Sequence, residues 1–533
     1  MRPSAWPSSL NHRADWHGRE NCRAVGAGCA CPGLAACWPF EPGGQTRDTA
    51  MNLGEYAKYD GLGLGELVAK KEVTPKELAL TAAKAIAAAN PVVKAIVETY
   101  PDRIEGLDES TLGNGPFRGV PLVIKDVFGH EAGRKIENGS RLCRGMMVEV
   151  STYYVEQLKA AGVNILGRSA APEYSMSAST ESVMFGNTST PWKKGYSAGG
   201  SSGGAQAAVT SGMVPIAHGS DIGGSIRIPA SWCGGVGLKP SRGRVSIGPV
   251  VDEGGLGFSA NFIQTKTVRD AAEMLDWVSK PQPGDPFVIP KPADRYAVVA
   301  KQAAPKLKVG IVLSELAGVP VDPEVAKAVE AAGKLLEQKG HSVEMAEADM
   351  GGTAVLDAMQ DLFFFGFDVR LDSYGKKTGL TPSPDTLEPV ILSLYEYAKG
   401  ITTARFFAAM GAANVARRRL GRFYTKYDIW LSPTTARVSE PWGRYNLSKP
   451  GVTAQNNAEH LFRTPCQFTI PHNIMGTPAM SLPLAMHSTG LPIGVQIAAR
   501  PAEEHLLLQL ANVFEQAMPW KDRTPPLHVS KLG

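Results

Sequence analysis

From Met51 onward, apolar positions follow two alternating rhythms, one of helical spacing and one of short unbroken runs. Leu64–Lys70 and Thr74–Ala89 read as helices. The second opens on Thr74 before Pro75, with Glu77 three residues on, the spacing of a capping box. Val92–Thr99 reads as a strand. Gly119–Val127 (GVPLVIKDV) is largely apolar and too short for a buried helix, so it predicts a buried strand that carries Lys125 and Asp126. Helices are then expected at Tyr153–Ala161 and Ala205–Ser211, and strands at Val163–Gly167, Val214–His218 and Val236–Lys239.

The Pro-rich stretch Gln282–Asp294 reads as a connector. A strand at Lys306–Leu313, an amphipathic helix at Pro323–Lys339 and a strand at His341–Met345 form a further β-α-β unit. Residues 351–470 are helical and aromatic, with Leu362-Phe363-Phe364-Phe365 among them, and read as a cover over a substrate site. Strand-like segments recur at Ile429–Ser432, Ala479–Leu482 and Pro492–Ala498 before a helix at Glu503–Met518. Strands alternating with helices predict an α/β domain, with functional residues on loops at strand ends.

Composition narrows the picture. The chain has 533 residues, and a net charge of +4 is small for that length, which argues against nucleic-acid and membrane-surface partners. No window holds the roughly 18 consecutive apolar residues of a spanning helix. Cys143, Cys233 and Cys466 are isolated and fit reduced, buried thiols. Residues 1–50 differ from the rest: they lack lysine, isoleucine and tyrosine and hold Cys22, Cys29, Cys31 and Cys37. A lipoprotein signal ending at Cys37 and a metal-binding cysteine cluster are both weak matches. The preferred reading is a disordered extension upstream of Met51, followed by one domain over 51–533.

Two glycine-rich stretches stand out, Gly199-Gly200-Ser201-Ser202-Gly203-Gly204 and Gly219-Ser220-Asp221-Ile222-Gly223-Gly224-Ser225, the latter running on into Ile226-Arg227-Ile228-Pro229. Glycine loses more backbone freedom on folding than any other residue, so such density suits sharp turns or close backbone approach to a ligand. Serines set among these glycines read as a site. A serine hydroxyl needs a neighbouring group to take its proton. His218, the histidine closest to the serines, ends a predicted strand and reads as structural. The residues of zinc hydrolysis and of a P-loop are absent. Gly199 to Gly203 matches Gly-x-Ser-x-Gly literally, but no strand precedes it as a nucleophile elbow requires. Lys125 remains, a cation inside an apolar strand. Burial favours its neutral form and would make it a base. Taken alone, it is better read as a lysine reaching water from a strand end.

Together, Lys125 and the two serine loops resemble the amidase signature family, in which a lysine, a Gly-Gly-Ser-Ser-Gly-Gly loop and a Gly-Gly-Ser-Ile-Arg-x-Pro segment form a Ser–cisSer–Lys triad. The resemblance runs from about Met51 to the C-terminus and is densest over Gly119–Pro249. It recurs in Gly476-Thr477-Pro478-Ala479 and Gly490-Leu491-Pro492-Ile493-Gly494-Val495-Gln496. It implies a central mixed β-sheet covered by helices on both faces, with the helical insertion over the substrate. Carried over by position, Ser225 is the nucleophile, Ser201 the serine after a cis peptide bond that relays a proton, and Lys125 the terminal base. The N–H groups of Ile222, Gly223 and Gly224 would form the oxyanion hole. Ser202 supports the loops, and Asp221 and Arg227 either hold them in shape, as an ion pair or through backbone hydrogen bonds, or contact substrate.

No metal or cofactor is implied. The expected partner is a small-molecule amide, and a homodimer and a cytoplasmic location accord with the family. The aromatic cover suggests an apolar or bulky substrate, and the pattern looks closest to the 6-aminohexanoate cyclic-dimer hydrolase and aryl acylamidase branch. A carbamate would need the same acyl-transfer apparatus. Two rivals differ in class: a subunit of a glutamine-dependent amidotransferase, which acts within a complex, and a non-catalytic protein that holds an anion in the glycine loops.

Overall fold

The computed structural model describes residues 51–251 and 255–532, so the disordered-extension, lipoprotein-signal and metal-cluster readings of residues 1–50 lie outside the described residues. Eleven strands form one sheet: β1 (Ile96–Thr99), β2 (Pro121–Lys125), β3 (Asn164–Ser169), β4 (Ile216–Asp221), β5 (Val236–Lys239), β6 (Ala260–Thr265), β7 (Lys308–Ile311), β8 (Ser342–Met345), β9 (Ile429–Pro433), β10 (Ala479–Met486) and β11 (Pro492–Ala498). Their order across the sheet is β1-β3-β2-β4-β6-β5-β10-β11-β9-β7-β8. The sheet is mixed. β3, β2 and β4 run parallel at one end, β9, β7 and β8 at the other, and the middle pairs are antiparallel. Every residue of β2, β3, β4, β5, β6, β9 and β11 is buried, so helices cover both faces along most of the sheet.

Local chemistry accounts for the element ends. The helix Pro75–Val93 carries the full Thr74–Glu77 capping box and has Pro75 in its first turn. It runs past the expected end at Ala89 and takes in Val92 and Val93, which the apolar pattern had assigned to the strand. The Asn90 side chain decides this boundary: its Oδ1 accepts from the Ala95 and Ile96 N–H groups at 2.8 Å, and Lys94 turns left-handed. β1 therefore starts at Ile96. The segment between β5 and β7, to which no element was assigned, holds the central strand β6 and the helix Val268–Val278.

Four helices, Ala354–Phe364, Phe367–Thr378, Pro389–Lys399 and Thr403–Gly421, precede β9. Phe364, Phe367, Leu371, Val390, Ile391 and Leu394 pack on Ile136, Leu142, Cys143 and Tyr174 in a cluster distinct from the main core around the sheet. A polar tie joins the same two regions, where the Glu388 N–H donates to the buried Glu173 carboxyl at 2.7 Å. Among the described residues no helix is long and apolar enough to cross a membrane. Cys143, Cys233 and Cys466 are all buried.

Candidate active site

β2 and β4 lie side by side in parallel, with Leu122 opposite Ile216 and Val123 opposite Ala217. Their C-terminal ends therefore present Lys125 and Ser220 to the same place. The Lys125 side chain is 1% exposed, and its Nζ donates to Ser201 Oγ at 2.7 Å and to Ser220 Oγ at 2.8 Å. Burial brings the Lys125 pKa down to about 7, against an opposing pull from the Asp221 carboxylate. Near neutral pH a large fraction of this amine is therefore unprotonated.

Ser201 follows a cis peptide bond from Gly200. The loop around it is tightly enclosed. A Cβ at Gly200 would lie 2.6 Å from the Ser177 carbonyl oxygen, and one at Gly199, where φ is +77°, would meet Pro229 at 2.8 Å. Ser202 ties this loop to β4: its hydroxyl donates to the Ser220 carbonyl and accepts from the Ser220 N–H, both at 3.2 Å. Its own N–H donates to the Ser225 carbonyl at 3.2 Å. The two serine loops are thus one hydrogen-bonded unit.

The loop after β4 is shaped by Asp221. Arg227 binds both its oxygens at 2.9 Å, the Gly224 and Ile226 N–H groups donate to them at 2.8 and 3.2 Å, and the Asn473 amide adds 2.9 Å. Burial alone would raise this carboxyl, but Arg227 outweighs it and the Asp221 pKa falls to about 2. Arg227 in turn donates to the Thr469 carbonyl, Gln496 Oε1 and Asn473 Oδ1 at 2.8, 2.8 and 2.7 Å. Ion pair and backbone hydrogen bonds, set out as alternatives for Asp221 and Arg227, are both present.

Two details differ from expectation. The Gly224 N–H is committed to Asp221. Within this loop the N–H groups of Ile222, Gly223 and Ser225 have no acceptor among the described residues. Gly224 instead permits a tight fit, since its φ is +135° and a Cβ there would lie 2.4 Å from Thr469 Oγ1. Second, the Ser201 hydroxyl bonds Lys125 but makes no hydrogen bond to the Ser225 hydroxyl, which has no partner among the described residues.

Ser220, the second acceptor for Lys125, was missed by the sequence reading; the predicted strand stopped at His218, and the observed one runs on to Asp221 and so takes in Ser220. His218 is a buried strand residue. Burial first, and then the Lys125 charge, lower its pKa to about 3. Its Nδ1 accepts from the Lys125 backbone N–H at 3.3 Å and its ring lies 5.2 Å from that of Tyr154, so it supports β2 and is far too weakly basic to activate a serine.

Ser225 opens onto a cavity of about 190 Å³ whose walls include Ile222, Gly223, Tyr174, Met176, Phe363 and Tyr374. A larger cleft of about 960 Å³, lined by Leu62, Arg269 and Glu515 among others, shares no residue with it, so volume alone does not locate the chemistry.

Comparison with known proteins accords with this arrangement. Residues 77–508 match the family described as Amidase. The chain is 34% identical to the 6-aminohexanoate-cyclic-dimer hydrolase of Paenarthrobacter ureafaciens over 478 residues, which covers 88% of this chain and 96% of that protein. The solved structure of a 6-aminohexanoate cyclic dimer hydrolase with substrate superposes with a TM-score of 0.83 at 33% identity, covering 88% of this chain and 99% of the other. A bacterial aryl acylamidase shares the fold at a TM-score of 0.78 and 22% identity, over 89% of this chain and 98% of the other. With Lys125 bonded to Ser201 and the Ser201–Ser202 loop bonded to that of Ser225, the chain belongs to the amidase signature family and hydrolyses amide C–N bonds.

Proposed function

We propose that Ser225 is the nucleophile of an acyl-enzyme mechanism and that Ser201 and Lys125 carry its proton. The observation that supports this reading most directly is the 2.7 Å contact between Ser201 Oγ and a buried amine whose pKa is about 7. A neutral amine can donate one hydrogen to Ser220 and keep its lone pair for the Ser201 hydroxyl proton. As Ser225 Oγ attacks the carbonyl carbon, its proton passes to Ser201 and the Ser201 proton passes to Lys125. Return of a proton along the same path to the leaving nitrogen lets the C–N bond break, leaving an ester on Ser225 that water hydrolyses with the proton flow repeated.

On this reading the N–H groups of Ile222, Gly223 and Ser225, which have no acceptor among the described residues, would receive the oxyanion, while that of Gly224 holds the loop through Asp221. One such donor typically contributes about 2.7–4 kcal/mol in the transition state.

The substrate is a carboxylic amide, or a related carbamate, with an apolar or aromatic part. Phe363 and Tyr374, both from the helical segment before β9, stand in the cavity wall beside Ile222 and support a covering role for that segment. The test is twofold. A fluorophosphonate should label Ser225, and the purified chain alone should hydrolyse short anilides and linear or cyclic amide oligomers. Labelling elsewhere with loss of activity would overturn the nucleophile assignment. Hydrolysis seen only within a complex would favour the amidotransferase-subunit reading.

A further inference from the structure

The walls of the Ser225 cavity are largely apolar, yet one of their members is an arginine. Arg370 lies on the helix Phe367–Thr378. Among the described residues lining this cavity there is no aspartate or glutamate, and His130, whose pKa burial and then Lys377 lower to about 4, is neutral at ordinary pH. Arg370 therefore supplies the formal charge of the described lining. Its guanidinium lies 5.0 Å from the centre of the Phe367 ring, which supports it without neutralising it. Other arginines of the same region are neutralised: Arg405, Arg419 and Arg463 pair with Asp361, Asp349 and Asp357. The Arg370 side chain has no hydrogen bond or ion pair among the described residues.

One helical turn on, at the i+4 position, Tyr374 faces the same cavity. Its ring stacks on that of Tyr174 with centroids 6.2 Å apart, which fixes its orientation, and its phenol likewise lacks a partner. The Arg370 charge is felt at that phenol, so the two groups are close. A guanidinium and a phenol close together, both without a hydrogen-bonding partner among the described residues and both donors, suit the two oxygens of a carboxylate.

We propose that Arg370 and Tyr374 bind a carboxylate borne by the substrate at the far end of an apolar chain from the scissile carbonyl. On this reading ω-carboxylated amides are the favoured class, and Arg370 is a specificity determinant. The inference rests on Ser225 being the nucleophile of this cavity.

The test uses matched substrates in the full chain. Hexanoyl p-nitroanilide is compared with 5-carboxypentanoyl p-nitroanilide, which places the carboxylate on the acyl side. N-hexylacetamide is compared with N-acetyl-6-aminohexanoate, which places it on the amine side. In at least one pair the anionic member should be favoured about tenfold in kcat/KM. The ratio should fall to about one in Arg370→Ala and recover in part in Arg370→Lys. Because it is taken within one variant, any general loss of activity cancels. A wild-type ratio of one or below in both pairs, or an undiminished ratio in Arg370→Ala, overturns the proposal. Failure of the underlying reading looks different, as hydrolysis that survives Ser225→Ala or is absent for all four substrates. In either case calorimetric binding of adipamate against hexanamide decides the anion preference independently of turnover, with equal affinities rejecting it.

Discussion

Asp221 and Arg227, six residues apart, form a bidentate ion pair that is fully buried, and the same carboxylate holds the N–H groups of Gly224 and Ile226 on either side of Ser225. The pair therefore shapes the loop that presents the nucleophile. Removing one partner leaves a buried charge uncompensated. Arg227→Ala should cost about 3–5 kcal/mol of stability by urea unfolding. It should also abolish fluorophosphonate labelling of Ser225 under conditions where the variant is still folded. Full labelling in a folded Arg227→Ala protein would mean that the loop holds its shape without the pair.

The proton path gives a second expectation. Lys125→Ala should lower kcat by roughly 10²–10⁴-fold, the usual range for general base catalysis, with a much smaller effect on substrate binding. Lys125→Arg should not rescue it, because a guanidinium stays protonated. Steady-state kinetics decide this, and a near-normal kcat for either variant would remove Lys125 from the mechanism.

The pH dependence follows from the same group. With the neutral amine as the proposed active form, kcat/KM should rise through a pKa of about 7. The stability consequence has the same sign. The folded Lys125 loses its proton near 7 while an unfolded lysine holds its proton to about 10.4. Between these values the unfolded chain binds more protons, so stability rises with pH across that window. Lys239 is buried with a similar pKa of about 7, so the Lys125 contribution is read as the difference between wild type and Lys125→Met. An identical pH–stability profile in the two proteins would show that Lys125 titrates normally.

Ser201 and Ser202 are neighbours with different partners, and single mutants should separate them. Ser201→Ala removes the Lys125 contact and should slow single-turnover acylation strongly, though less than Ser225→Ala, since water can partly replace the relay. Ser202→Ala leaves the N–H and carbonyl of Ser220 unpaired in the interior, at a cost of about 1–3 kcal/mol in stability. Its acylation step should be less affected. A greater kinetic loss in Ser202→Ala than in Ser201→Ala would reverse the two roles.

Much of this was legible beforehand because the site lies at the ends of strands with unbroken apolar runs. β2 and β5 were readable for that reason, and Lys125 is conspicuous as a cation within such a run. The central strand β6 was not. Its Asn261 and Gln264 look like surface residues, but both are buried and meet tertiary partners: Gln264 Nε2 donates to the Ile226 carbonyl at 2.9 Å and Asn261 meets His218. The boundary at Val92 and Val93 was lost to a side-chain cap, which apolar periodicity does not register. The engagement of Gly224 and the part played by Ser220 were hidden as well, because both depend on which hydrogen bonds the folded loop makes.

The acceptors that fix Arg227 lie far downstream, the Thr469 carbonyl 242 residues later and Gln496 Oε1 269 residues later. During synthesis, Lys125, Ser201 and Ser225 all leave the ribosome long before those anchors exist. A chain that stops short of residue 469 carries every reacting group and lacks the groups that hold their loop. The hydrolytic centre is thus encoded early and completed late, so fragments ending before that point contain the serines without the finished site.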